Sequence, residues 1–221
     1  SLVEEIANLN GDFRVRLSSI NPMEIDEHLI ELIAHHEKIC PHLHIPLQSG
    51  DTEILSKMRR NYNAKQYEHV VRRAADKISP LGLGADIIVG FPGESEESFE
   101  RTRRLVEELP FSYLHVFSYS PRSGTEAHSF RNNIKNITKK ERNLTLSNLA
   151  KEKAYTFHKS FIGKKVTVLA EKRKQTNGVL RGHSEHFIPI RIDGEDSLQN
   201  RLLPVVIKEI KKDGLVGHLE Q

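Results

Sequence analysis

Two short segments concentrate the residues able to do chemistry. The first, His42-Leu43-His44-Ile45-Pro46-Leu47-Gln48-Ser49-Gly50-Asp51, alternates polar and aliphatic side chains and stops at a small, turn-forming loop. The second, Asp86-Ile87-Ile88-Val89-Gly90-Phe91-Pro92-Gly93-Glu94, opens on a carboxylate and closes on a glycine–proline turn. Strands that end this way, side by side in a parallel sheet, bring their loops to the carboxyl edge, where α/β proteins bind ligands. Strand alternation puts His42, His44 and Gln48 opposite Leu43, Ile45 and Leu47, and Asp86 and Gly90 opposite Ala85, Ile87 and Val89. Arg14, Arg16 and Ser18 likewise oppose Phe13, Val15 and Leu17. Burying Arg, His, Gln and Asp is costly unless they pair or meet a polar ligand. The pattern therefore predicts a wide or incomplete barrel with a substrate cavity. Arg16 and Asp86 fit either a structural ion pair inside the sheet or a pair bordering a ligand. His42 and His44 have the two-residue spacing of a chelating pair, but no carboxylate or cysteine stands nearby in the sequence. The expectation is core or ligand-contacting histidines and no metal. The Gly90–Glu94 turn lacks the lysine of a phosphate loop, though glycine there lets a flat ligand approach the backbone.

These residues need elements to hold them. Phe13–Ser19, His42–Leu47, Gly84–Gly90 and Ser112–Ser118 read as four strands. Asn21-Pro22 with Glu24 supplies a cap, a first-turn proline and a capping-box partner, followed by Ile25, Leu29, Leu32 and Ile33 at helical spacing. Asn63 and Gln66 repeat that logic ahead of Val70, Val71, Ala74, Ala75 and Ile78. Ser95 with Glu96 and Glu97 suits the positive end of a helix dipole, ahead of Phe99, Thr102, Leu105, Val106 and Leu109. Strand–helix alternation at this spacing requires parallel strands joined by right-handed crossovers. The fold class is α/β, a partial parallel β/α barrel over residues 1–160. Thr138 and Glu141 open another helix, packed through Leu146, Leu149, Ala150, Ala154 and Phe157 and ended by Gly163. The runs Val166–Ala170, Gly178–Arg181, Phe187–Ile192, Leu203–Ile210 and Leu215–Leu219 follow, separated by Thr176-Asn177-Gly178, Asp193-Gly194 and Lys212-Asp213-Gly214. They predict a small antiparallel β-barrel over residues 161–221.

Composition narrows the function classes. No apolar run approaches the roughly 20 residues of a membrane span, and nothing resembles a signal peptide. The single cysteine, Cys40, excludes a disulfide framework or a cysteine-cluster metal site made from this chain, and fits a reducing, cytoplasmic compartment. Residues 1–160 carry 22 basic and 22 acidic side chains, whereas Arg131 to Lys165 holds ten basic against two acidic. That band fits either a polyanion such as RNA or a solvated helix face.

His44–Gly50, Met58-Arg59-Arg60-Asn61-Tyr62, Asp86–Glu94 and His115-Val116-Phe117-Ser118-Tyr119-Ser120-Pro121-Arg122-Ser123-Gly124-Thr125 together resemble the radical S-adenosylmethionine methylthiotransferases. Arg14–Ser19 with Asn21-Pro22 fits as well, and the likeness runs in order through residues 13–125. The terminal domain resembles the RNA-binding TRAM barrel of that family. The wording of the motifs follows the MtaB type, which methylthiolates threonylcarbamoyl-adenosine beside the anticodon of tRNA. The resemblance implies S-adenosylmethionine and 4Fe–4S clusters as cofactors, and radical replacement of an adenine C–H by a methylthio group. It makes Gln48, Ser49, Asp86, Gly90, Pro92, Phe117 and Tyr119 candidates for cofactor binding. Arg16, His44, Arg122, Lys164, Lys165, Lys172 and Arg173 become candidates for substrate binding, with tRNA as partner. The family's CxxxCxxC loop does not occur in this sequence. The expectation is thus a C-terminal fragment, inactive alone, whose cluster ligands lie in segments absent from this chain. Isopentenyl-adenosine or a ribosomal-protein aspartate are alternative targets for a family member. An aldolase-like barrel lacks a convincingly placed catalytic lysine or metal set, and a pure RNA-binding module leaves the polar strand faces unexplained.

Overall fold

The computed structural model describes residues 1–131, 133–171 and 179–220. Helices α1 (Leu2–Ala7) and α2 (Glu27–His35) precede β1 (His42–His44). Helices α3 (Thr52–Lys57) and α4 (Ala64–Lys77) lead to β2 (Gly82–Val89), and α5 (Glu96–Glu108) leads to β3 (Tyr113–Ser118). Helices α6 (Glu126–Ser129) and α7 (Asn136–Lys159) then connect to β4 (Lys165–Glu171), β5 (Val179–Ser184), β6 (Pro189–Asp193), β7 (Leu202–Lys211) and β8 (Gly214–Leu219). Strands β1, β2 and β3 form a parallel sheet in that order, and β4-β5-β6-β8-β7 close into a barrel. The α/β expectation holds. Among the described residues no helix is long and apolar enough to cross a membrane.

The sheet has three strands where the sequence suggests four. Phe13–Ser19 forms no ladder with it: Val15 makes an isolated bridge to Ile39, ahead of β1, and just past the segment the Ile20 amide donates to His44 O. Ser19, with φ 58, ends the extended run at that point. The second strand stops at His44 because Pro46 removes a donor; pairing resumes only at Gln48, which bridges Ile87. The strand expected to start at Gly84 starts at Gly82. Asn21-Pro22 opens a short 3-10 turn rather than the helix, and Asp26 caps α2 by accepting from the Leu29 amide. The Asn63–Gln66 capping box and the Ser95 cap form as read. Helix α7 begins at Asn136, ahead of Thr138, without a side-chain cap. The terminal barrel is antiparallel save for one parallel pair, β6 with β8, through Ile190–Leu215, Arg191–Val216 and Ile192–Gly217. The Thr176-Asn177-Gly178 turn lies outside the described residues.

Leu43, Ile45, Leu47, Ala85, Ile87 and Val89 are wholly buried on the helix-covered side of the sheet. Phe161, Val166, Val168, Ile190, Ile192 and Val205 form a second core inside the closed barrel. The two parts meet at the sheet's amino-terminal end. A Cβ on Gly82 would come 2.3 Å from His186 O, so only glycine lets the β5–β6 turn approach this closely. Phe187, with φ 63, sits on the polar face, 5.1 Å from the His42 ring and 6.0 Å from Tyr113 (centroid distances), with the Arg16 guanidinium 4.0 Å from its own centroid. Arg14 reaches across to pair with Glu185 at 3.6 Å and to donate to Thr167 O.

This junction buries two histidines in their neutral form. Burial pulls His42 down to about 3 and His186 to about 4, from the ordinary 6.5. Below pH 6.5 the unfolded chain binds protons at these positions and the native chain does not, so stability falls with pH until the folded values are reached. Between pH 7 and 5 the loss is about 2 kcal/mol for each histidine. Denaturant midpoints at the two pH values measure it, and His186→Gln should flatten the profile by about half.

Candidate functional site

The loop after β1 is fixed from below. Tyr67 donates to Ile45 O at 2.7 Å and Tyr62 to Pro46 O at 2.9 Å. Gly50 packs so tightly on α5 that a Cβ would lie 2.6 Å from Thr102 Cα, and its amide donates to Thr102 Oγ1. Ser49 Oγ also faces Thr102 Oγ1, at 3.3 Å. Asp51 caps α3 and binds Arg101 Nε at 2.6 Å. Against this support Gln48 takes φ 66, unusual for a side-chain-bearing residue, while its amide and carbonyl are stitched to Asp86 O and the Ile88 amide of β2.

The loop after β2 closes on itself. Glu94 Oε2 accepts from the Gly90 amide at 2.7 Å and from Arg142 Nη1 of α7 at 2.7 Å. Arg142 also donates to Glu94 O and, at 2.9 Å, to Glu96. Both partners of the central pair are buried, and burial raises the Glu94 carboxyl above its ordinary value despite the amide and guanidinium that oppose the rise. Helix α7 also lies along β3, where Asn143 donates to Val116 O. The β3 exit is held by the Tyr119 amide on Val89 O, by Tyr119 OH on Ala127 O, and by edge contact of Tyr119 with Phe91. Arg59 pairs with Glu126, joining the α3 exit to α6.

These three exits surround a cavity of about 530 Å³ whose walls include Gln48, Asp86, Phe117, Tyr119, Arg60 and Arg122. Five of the sequence-expected residues thus converge there. Ser49 is turned to Thr102, and Gly90 backs onto Lys139, whose Cγ a Cβ would approach to 2.5 Å. Neither they nor Pro92 line the cavity. Arg16 is not paired with Asp86 as an ion-pair reading expects. It lies over Phe187 and borders a second cleft of about 410 Å³ with Arg14, Cys40, His183 and Glu185. Lys164 lies over Phe161 and Lys165 pairs with Glu220, both on the terminal barrel, whereas Lys172 and Arg173 fall outside the described residues.

Asp86 meets His44 instead, Nε2 to Oδ2 at 3.2 Å. Tyr113 OH bridges His44 Nδ1 at 3.1 Å and His42 Nε2 at 2.9 Å. Its phenol is pushed up to about 12, chiefly by burial. Gly84 makes this possible, since a Cβ there would stand 2.0 Å from Tyr113 Cζ. His115 pairs in register with Asp86 across β2 and β3, which brings His44, Asp86 and His115 into one group. The carboxylate that His44 lacks in the linear sequence therefore comes from the neighbouring strand. Sequence reasoning also missed Arg60, Arg142 and Phe187. Only the buried charge on an otherwise packed helix face could have flagged Arg142.

Residues 1–106 match the family described as Radical SAM superfamily. Threonylcarbamoyladenosine tRNA methylthiotransferase MtaB of Thermotoga maritima is 35% identical over 216 residues, covering 98% of this chain and 49% of that protein. A tRNA-2-methylthio-N(6)-dimethylallyladenosine synthase of Alkaliphilus oremlandii is 35% identical over 221 residues, 100% of this chain and 47% of that protein. The chain is a relative of the radical S-adenosylmethionine methylthiotransferases. It spans about half the length of the curated relatives it matches. Among solved structures, coproporphyrinogen III oxidase (HemN) from Escherichia coli, a radical SAM enzyme, aligns with a TM-score of 0.52 at 17% identity. That alignment covers 63% of this chain and 32% of the other, and it supports the fold. The cavity wall carries two aromatic rings, Phe117 and Tyr119, and the Gln48 side-chain amide, the mix of apolar and polar groups typical of small-molecule sites. A cysteine-held iron–sulfur cluster does not fit this chain's own residues, because Cys40 is its one cysteine and is buried.

Removing one partner of the buried pair leaves the other charge unmatched, which costs about 3–5 kcal/mol. Arg142→Met should therefore lower unfolding free energy by that order, and Glu94→Gln added to it should recover part. A denaturation cycle of the two single variants and the double variant measures both effects.

Proposed function

We propose that this chain is the cofactor- and substrate-binding part of a tRNA methylthiotransferase, with threonylcarbamoyl-adenosine as target. The observation that carries the reading is the cavity at the strand exits, where Gln48, Phe117 and Tyr119 stand with two guanidinium groups, Arg60 and Arg122. When bound, S-adenosylmethionine and the cluster supply the radical chemistry, and the protein supplies position and exclusion. Gln48, held in its left-handed turn, presents an amide to the ribose or adenine edge. Phe117, 52% exposed, and Tyr119 offer ring faces for a base. Asp86 closes the floor. Arg60 and Arg122 are suited to a carboxylate, and the threonylcarbamoyl group carries one. A dimethylallyl group carries none, and exposed Phe117 is the feature that favours it. The cluster ligands of the working enzyme lie, on this reading, outside residues 1–221, and the protein acts in the cytoplasm.

The terminal barrel supplies affinity for the tRNA backbone. Support comes from Lys164 and Lys165 and from an open cleft of about 560 Å³ between the end of α7 and the barrel, where Tyr155 and Lys159 of the helix meet Lys211 and Lys212.

Two measurements test this. In the longer protein, Arg60→Ala with Arg122→Ala should lower kcat/KM for threonylcarbamoyl-adenosine tRNA at least 100-fold while binding of S-adenosylmethionine changes less than threefold. An equal loss on dimethylallyl-adenosine tRNA, or turnover of that substrate alone by the unaltered enzyme, rejects the assignment. For the 221-residue chain, tRNA affinity should fall about tenfold or more between 50 and 200 mM salt, and Lys159→Ala with Lys212→Ala should weaken it. Salt-independent binding would count against the barrel's role.

A further inference from the structure

We propose that His44, Asp86 and His115 form a binding site for a divalent transition-metal ion of the zinc class on the floor of the cavity. The donor atoms, two imidazole nitrogens and a carboxylate oxygen, all lie within 4.8 Å of one another. A tetrahedral ion with bonds near 2.0–2.2 Å needs its donors about 3.3–3.5 Å apart, so small side-chain rotations close the set. The three ligands come from three adjacent strands, and the ladder fixes their spacing: His44 is opposite Gly84, and Asp86 is opposite His115.

The surroundings are those of a ligand set. A metal-binding imidazole keeps its orientation through a hydrogen bond from its other nitrogen. His44 has that bond, to Tyr113 OH, and Tyr113 is held in turn by His42. His44 is thereby left with Nε2 aimed at Asp86. Burial is graded across the set, with His44 buried, Asp86 half-buried and His115 exposed, and Asp86 also forms part of the cavity wall. A bound ion would thus have its remaining coordination position on the cavity side. A His44–Asp86 hydrogen bond accounts for two of these residues but gives His115 no part. Two imidazoles and one carboxylate suit Zn²⁺, Co²⁺, Fe²⁺ or Mn²⁺ and disfavour Ca²⁺ and Mg²⁺, which take oxygen ligands.

The test uses the 221-residue chain freed of metal with a chelator, titrated with Zn²⁺ by calorimetry and with Co²⁺ by absorption. One equivalent should bind, with a visible Co²⁺ band. His115→Gln, at an exposed position that keeps the thermal midpoint, should lower affinity at least tenfold. Asp86→Asn should lower it at least 100-fold, and Tyr113→Phe, which touches no metal, about 10–100-fold. His35→Gln with His128→Gln should leave affinity unchanged. Absence of saturable binding, or wild-type affinity in His115→Gln, overturns the proposal. Neither titration involves tRNA or S-adenosylmethionine, so its failure is separate from failure of the methylthiotransferase reading.

Discussion

Glu94 and Arg142 are both almost wholly withdrawn from water, and the rest of the molecule is organised around the bonds they make. Taking two ions out of water costs several kcal/mol each, and their attraction offsets this only when the remaining hydrogen-bonding positions are filled. Here the Gly90 amide fills one carboxylate position, and Glu94 O and Glu96 take further guanidinium donors. The arrangement joins the loop after β2, the first turn of α5 and the start of α7. Helix α7 continues past β3, where Lys153 donates to Glu107 O and Leu109 O at the end of α5, and leads through Phe157 and Phe161 into the barrel core. One helix thus ties the rim of the cavity to the terminal barrel.

The polar face of the sheet poses the opposite problem, because many groups converge where a closed barrel would be aliphatic. Glycine solves it. At Gly84 the missing side chain lets Tyr113 lean across β2 and bridge two histidines, and at Gly82 it lets the β5–β6 turn dock. Phe187 then covers the amino-terminal end of that face, stacked on His183 at 4.7 Å and topped by Arg16. The carboxyl-terminal end stays open as the cavity. The polar face is sealed at one end and available to ligand at the other.

Much of this was legible in order along the chain. Alternation in His42–Gln48 and in Ala85–Gly90 separated the buried aliphatic face from the polar one, because side chains on a strand alternate wherever it is placed. The caps at Asn63 and Ser95 were equally legible, since a cap is a contact over three residues. Where a prediction needed more than local contact it failed in recognisable ways. Phe13–Ser19 has strand-like alternation, yet its pairing is limited to an isolated bridge from Val15 to Ile39. Ser49 reads as a loop residue facing a ligand, but its hydroxyl points at Thr102, more than fifty positions away.

The sequence by itself determined the class of fold, which face of each strand is apolar, and the loops that would surround a site. These follow from periodicity and turn chemistry, which act over a few residues. Only the tertiary structure decided the partners: Asp86 with His44 and His115 rather than Arg16, Glu94 with Arg142, and Gly82 with His186. Each pairing depends on strand register or helix placement between residues tens to a hundred positions apart. That distance is set by how whole elements pack and leaves no repeat in the linear sequence to read.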